Sequence, residues 1–511
     1  MNIDYANSAR SLEGQVSPRK VSFLLYLVLF LGWGIVTFAF LLPDGFDTTF
    51  SYCCQKSLSV FATNAQIQEY FGLSDAGSYA HGGALLLKTG SHLPPGGAPL
   101  WSPGMFLIHA AILKVVGLDG PASLGLALLA GLSWTAFCTL LSAVAYQMTA
   151  RTISLLTPAV LFLFPATRDY LLGVGIFYSE PISVALFGAA LLLAAASAMQ
   201  HNWRKAVASG IAFAAAAYVR STFEIVMHPA AMLLIVCSLA SLIIILLNRR
   251  KISRSDNSGT LAWLGQANGQ SFADLKIVAI IFMVFYSLTI PYRLMNLERY
   301  GRASWDFADY YFAYPWLPDS EFTPGQNFIL RGGGNTACRI NKPQCDEFAK
   351  RRNQSSNPNA VSINEYKSAF YRTAISSPFA WLRAKAPVII EFWFSMPTFG
   401  PPVQGSYRHG ILAAAFIMIS ILVAAYLLIR HWLFWPAIFI GGYLGGSLVI
   451  WNLVHLEVRY IYPVQALSPV LAIIALGALL STLPTRFRRP ARRNLIPFHD
   501  RDQTIGYIAR E

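Results

Sequence analysis

Asp75 and Tyr79 stand in Asp75-Ala76-Gly77-Ser78-Tyr79, just past the first membrane-length apolar run, Val21 to Leu42. A carboxylate near hydrocarbon is expensive to keep ionised, so one held there is a functional candidate by default. A positioned carboxylate can act as a general base. Asp44 and Asp47, in Pro43-Asp44-Gly45-Phe46-Asp47, lie closer to the end of that run and are alternatives for the same work. The blander role for Asp75 is to cap a helix from Ala76 to Lys88, since Asp is a favoured N-cap.

Other ionisable residues stand near the ends of apolar runs: Arg168, Asp169, Glu180, Arg220, Glu224, His228, Arg293, His455, Glu457 and Arg459. By the topology below, they collect on the outer face of the membrane. Arginines there run against the positive-inside trend, so each asks for a partner. An anionic ligand is one possibility. An internal ion pair, either Arg220–Glu224 at i,i+4 or a bridge between helices, is the other. Glu180-Pro181 opens a helix, where the dipole favours an acid in the first turn. His81 and His92 read as solvated loop residues. The sequence has no nucleophile-elbow motif, no phosphate-binding glycine loop and no paired-His metal motif, and no cofactor is indicated.

The elements that must position these residues are membrane helices. The chain has 511 residues, 55% of them hydrophobic and 13% charged, against about 25% charged in soluble domains. Continuous apolar runs select helices, because backbone groups in lipid must be satisfied within the segment. Candidate spans are 21–42, 121–147, 152–166, 174–199, 205–219, 223–247, 276–296, 410–430, 432–453 and 458–481. Arg19-Lys20 and the C-terminal Arg486, Arg488, Arg489, Arg492 and Arg493 put both termini in the cytoplasm. The segment 100–117 would make the crossings odd in number. It is short and interrupted by His109 and Lys114, and it reads as a helix lying in the interface. The net charge of +14 is explained by such flanking anchors, and no nucleic-acid partner is expected.

The reading is an all-α polytopic membrane protein of about ten transmembrane helices, with interfacial helices in the first outer loop. Residues 1–20 form a cytoplasmic tail, 21–296 a transmembrane core with outer loop 43–120, and 297–409 a mixed outer-loop domain. Residues 410–481 form C-terminal helices and 482–511 a basic cytoplasmic tail. The Ser/Asn/Gly-rich stretch 248–275 reads as a cytoplasmic linker. Of six cysteines, Cys138 and Cys237 read as packing residues. Cys338 and Cys345 share a polar loop and can form a disulfide if it faces an oxidising compartment.

Asp75-x-x-x-Tyr79, an apolar helix to Lys88-Thr89-Gly90, Pro94-Pro95, Trp101-Ser102-Pro103-Gly104 and an apolar helix ending in Gly117 resemble the first outer loop of GT-C glycosyltransferases. Protein O-mannosyltransferases and lipid A aminoarabinose transferases are members of that class. Tyr178-Ser179-Glu180-Pro181 is similar to its Thr-Glu-Pro helix start. Gly210 through Arg220 to Pro229 is similar to its small-residue helix followed by Arg. Glu457-Val458-Arg459-Tyr460 with Pro463 resembles its late Arg-Tyr-Pro segment. Where that family often has Asp-Glu, this chain has Asp75-Ala76, and Leu93 replaces a Lys that often precedes the Pro pair.

The resemblance implies a membrane transferase moving a sugar from a polyprenyl-phosphate donor to a glycan, lipid or protein hydroxyl. The implied setting is the outer face of a bacterial plasma membrane. It implies Asp75 as catalytic base, with Tyr79, Glu180, Arg220, Arg459 and Tyr460 binding substrate. Arg220 or Arg459 would stabilise the departing phosphate. Direct attack would invert the anomeric centre. Some relatives use a divalent metal and others do not, and nothing in the sequence indicates one. Two other readings compete: a solute transporter or lipid flippase, and an O-antigen ligase or polymerase using polyprenyl diphosphates. A transporter would place its ionisable groups near the bilayer midplane.

Overall fold

The computed structural model describes residues 22–41, 58–72, 74–93, 102–149, 152–163, 174–224, 258–301, 312–316, 336–354 and 361–394, with a few short pieces elsewhere. The regular structure of these residues is helical. Among the described residues, four helices are long and apolar enough to cross a membrane: α1 (Phe23–Leu41), and stretches Ala122–Gln147, Glu180–Ala198 and Lys276–Tyr300 of three others. The expected spans 410–430, 432–453 and 458–481, and most of 223–247, lie outside the described residues.

The segment expected as the first outer loop contains three helices: α2 (Asn64–Phe71), α3 (Asp75–Thr89) and α4 (Gly104–Val116). Thr63 and Gln66 close a capping box at the start of α2, a Thr-x-x-Gln signature visible in the sequence. The buried Asn64 side chain donates to the Ala80 carbonyl at 3.0 Å, fastening α2 to α3. Next come α5 (Ala122–Thr149), α6 (Glu180–Gln200), α7 (Trp203–Val219) and α8 (Ser258–Tyr300).

The helices α6 and α7 form a tight hairpin. Its turn includes His201, which adopts the left-handed conformation (φ 48°), and Asn202, which caps α7 by accepting from the Arg204 and Lys205 amides. Ser209 Oγ reaches the Ala190 carbonyl at 2.8 Å across the hairpin. The apolar stretch of α6 is 78% buried and that of α1 only 22%. This makes α6 the central helix and α1 a peripheral one, with Phe23, Leu24 and Ile35 exposed. Around α6, Phe187 stacks on Phe223 at 4.6 Å and meets Phe213 edge-on at 5.2 Å.

Several expected boundaries move. Residues Thr152–Leu163 form a 3₁₀ helix containing Pro158, where an α-helical span was expected. Proline lacks the N–H that an α-helix interior needs. The expected span 174–199 begins as a short 3₁₀ turn, Val174–Phe177, and becomes α-helical at Glu180, where Pro181 suits the first turn. The expected linker is helical from Ser258 onward: α8 runs for 43 residues, about 65 Å, well beyond the roughly 30 Å hydrocarbon core.

Within the loop expected at 297–409, the described residues are helical rather than mixed. They form a 3₁₀ turn Tyr314–Trp316, α9 (Thr336–Ile340), α10 (Lys342–Gln354), α11 (Ile363–Ser376) and α12 (Pro378–Phe394). Trp316, Phe348, Tyr366, Phe370 and Trp381 form a hydrophobic core of their own. A Cys338–Cys345 disulfide ties α9 to α10. Arg351 Nη1 meets Glu365 Oε1 at 2.8 Å, and Ser362 and Glu365 make a capping box. The Arg351 hydrogen bond, helped by bonds from Ser362, pulls Glu365 down to about 2.

Candidate functional site

Asp75 occupies the first turn of α3, and Ser74 is the N-cap residue. The cap expected of Asp75 is thus taken one residue earlier, leaving Asp75 where the helix dipole favours an acid. Gly77 permits the tight approach behind it: a Cβ there would collide with the Gly72 carbonyl, and Gly72 itself has φ +54°. Tyr79 lies one turn beyond Asp75, on the same helix face. Its ring is buried and meets Phe106 of α4 edge-on at 5.6 Å.

The end of α2 brings the next piece. Phe71 contacts the rings of Phe177 and Tyr178 at 5.0 and 5.8 Å. This seats the turn before α6 against α2. Trp134 of α5 donates to the Pro181 carbonyl at 3.1 Å and fixes the start of α6. There Glu180 is fully buried and forms an ion pair with Arg220, at the end of α7, with 2.6 Å between Nη1 and Oε1. Arg220 Nη1 also donates to Ser179 Oγ at 3.0 Å, and Nε donates to Thr222 Oγ1 at 3.2 Å.

Tyr79 joins this group through a hydrogen bond with Ser179. Burial raises the Tyr79 pKa well above the ordinary value; the charges of Asp75 and Glu180 push the same way, and Arg220 and the Ser179 bond oppose them. Tyr79 is therefore a neutral phenol at physiological pH. Four of the six expected site residues, Asp75, Tyr79, Glu180 and Arg220, form one cluster. The other two, Arg459 and Tyr460, lie outside the described residues, as do Asp44, Asp47, Arg168, Asp169, His455 and Glu457.

One turn after Arg220, the nearly buried Glu224 pairs with Arg293 of α8. Arg293 Nε donates to Glu224 Oε1 at 2.7 Å, and Nη1 donates to the Ala303 carbonyl at 2.9 Å. Arg293 Nη2 lies 3.2 Å from His228 Nε2, and His228 Nδ1 lies 2.9 Å from Tyr286 Oη. Arginine only donates, so His228 Nε2 accepts, and Nδ1 carries the hydrogen toward Tyr286. The bridges are therefore between helices, Glu180 with Arg220 and Glu224 with Arg293.

His92, expected in solvent, stacks on Phe106 at 4.7 Å and is half-buried. His81 is exposed, on α3 rather than in a loop. His109 is buried in α4, and burial lowers its pKa to about 4. Sequence reasoning gave Ser179 and Gly104 no role. Ser179 links Tyr79 to Arg220. A Cβ on Gly104 would sit 2.7 Å from the Val219 nitrogen, so α4 touches the backbone next to Arg220 only because residue 104 is glycine. The Pro103-Gly104 pair was the available signal. Among the described residues no three His, Cys, Asp or Glu side chains come together as a metal site would require.

Chemically, the cluster presents two carboxylates, one guanidinium, one neutral phenol and one hydroxyl. Glu180 compensates the charge of Arg220. No protein-family model matches the sequence, and no curated protein matches it. Among solved structures the chain is similar to a crystal structure of ArnT from Cupriavidus metallidurans in the apo state. Identity is 14% and the TM-score 0.26, over 89% of this chain and 77% of that one.

Proposed function

We propose that this protein is a membrane glycosyltransferase that moves a sugar from a polyprenyl-phosphate donor to an acceptor hydroxyl on the outer face of a bacterial plasma membrane. The observation that carries the reading is the convergence of Asp75, Tyr79, Ser179, Glu180 and Arg220 beside apolar membrane helices. A donor with a polyprenyl tail stays in the bilayer, so its transferase needs such a polar site at the end of an apolar bundle. Asp75 takes the proton of the acceptor hydroxyl, whose oxygen attacks the anomeric carbon. The bond from that carbon to the phosphate oxygen breaks, and polyprenyl phosphate leaves with the electron pair. The anomeric configuration inverts.

The ion pair refines the role of Arg220. A guanidinium already neutralised by Glu180 at 2.6 Å gives less to a phosphate than a free one. Arg220 and Glu180 are better placed to orient sugar hydroxyls together with Tyr79, and Arg459 with Tyr460 remain the phosphate partners in this proposal.

The test is release of polyprenyl phosphate from a panel of polyprenyl-phosphate sugars by reconstituted protein in the presence of acceptors. Asp75→Asn lowers release by about 10²–10⁴-fold in a protein that stays folded. Product with the donor's anomeric configuration retained would sink the displacement. Equal release by Asp75→Asn would move the base to Asp44 or Asp47.

A further inference from the structure

The domain built from α9 to α12 has an apolar corner that its own core does not use. Ile375 at the end of α11 is 76% exposed, and Phe379 and Leu382 at the start of α12 are 84% and 56% exposed. On the other side of the same helices, Phe370 and Trp381 pack into the core, their rings 4.9 Å apart. Exposed large apolar side chains gathered at one corner mark an interaction surface.

The charge around this corner has one sign. Between Glu365 and Glu391 the sequence has no acidic residue, while Lys367, Arg372, Arg383 and Lys385 are basic. Lys385 is buried and Lys367 lies over the Phe312 ring, which leaves Arg372 and Arg383 as exposed cations beside the apolar side chains. The acids of this domain lie elsewhere in the sequence: Asp346 and Glu347 are on α10, Glu365 is engaged by Arg351, and Glu391 is near the end of α12, nine residues beyond Leu382. Apolar side chains flanked by arginine match a bilayer surface with anionic headgroups. The chain also keeps the domain near such a surface, because it follows the membrane-length stretch Lys276–Tyr300.

We propose that the α11–α12 corner is a membrane-docking surface, with Ile375, Phe379 and Leu382 set among the acyl chains and Arg372 and Arg383 on anionic headgroups. A second copy of the chain, or another part of this one, is the competing cover.

The experiment places the photo-cross-linking residue p-benzoylphenylalanine at 379 or 382 of the full-length protein, with the exposed Lys350 position of α10 as control. The protein is reconstituted in phosphatidylcholine vesicles with or without phosphatidylglycerol, irradiated and analysed by mass spectrometry. Lipid adducts at 379 and 382 that exceed those at 350 are expected. Arg372→Glu with Arg383→Glu should lower their yield by roughly fivefold or more in phosphatidylglycerol vesicles. Adducts to a second copy or to the protein's own core, or no lipid adduct at either position, overturn the proposal. Lipid adducts indifferent to charge reversal overturn its anionic part.

Discussion

Removing one partner of the Glu180–Arg220 pair leaves a charge in a nearly closed site, since the two side chains are 0% and 13% exposed. Breaking such a pair costs about 3–5 kcal/mol, whereas replacing both partners by apolar residues costs far less. We expect Glu180→Leu to lower the unfolding midpoint in detergent sharply, and Glu180→Leu with Arg220→Met to recover much of the loss while transfer stays absent. Equal midpoints for the single and double variants would show that the pair is not coupled. At this scale the sequence named the partners' types but not the pairing. An i,i+4 rule sees only residues on one helix, so it offered Arg220–Glu224, while the observed partners are about 40 and about 70 residues apart along the chain. Ser179 was invisible as a link because a serine in a helix-start motif has capping as its ordinary use.

Helix ends place the cluster, and the two glycines that bound α3 and α4 test this differently. Gly104 touches the Tyr218–Val219 backbone, next to Arg220. Gly104→Ala should destabilise the protein by about 1–3 kcal/mol, as overpacking does, and lower transfer activity by shifting Arg220. Gly90 closes α3 at φ +75° with nothing near its missing Cβ. Gly90→Ala should cost about 1 kcal/mol through backbone strain and leave transfer activity unchanged. Paired melting curves and turnover measurements separate the two. The long apolar helices and the helix beginning near Asp75 were legible from apolar runs and a Gly stop. The 3₁₀ character of Thr152–Leu163 and the extension of α8 to Ser258 were not. Apolar content reports burial in lipid, and it says little about hydrogen-bond pitch or about a helix that continues through polar sequence.

For the whole molecule, the domain of α9 to α12 carries its own core and its own disulfide, and one of its buried groups titrates within reach. Burial lowers Lys385 to about 8, against an ordinary lysine value of about 10.4. The unfolded chain therefore binds the extra proton between those values, and this group adds stability as pH rises from about 8 to about 10.5. Lys385→Met should melt higher than wild type at pH 7, with the difference shrinking across that window. A difference independent of pH would mean that Lys385 keeps its ordinary pKa in the folded domain. The Cys338–Cys345 bridge was legible from two cysteines seven residues apart in a polar loop, but the apolar corner of α11 and α12 was not, because exposure is a property of the folded domain. The α6–α7 hairpin has a consequence for biosynthesis. Glu180 and Arg220 sit at its two open ends, so Glu180 leaves the ribosome about 40 residues before Arg220, or roughly 2–8 s at ordinary elongation rates. The carboxylate must wait that long for its counter-charge while α6 seeks the bilayer, and a pause or truncation placed after the His201–Asn202 turn should hold α6 at the insertion machinery.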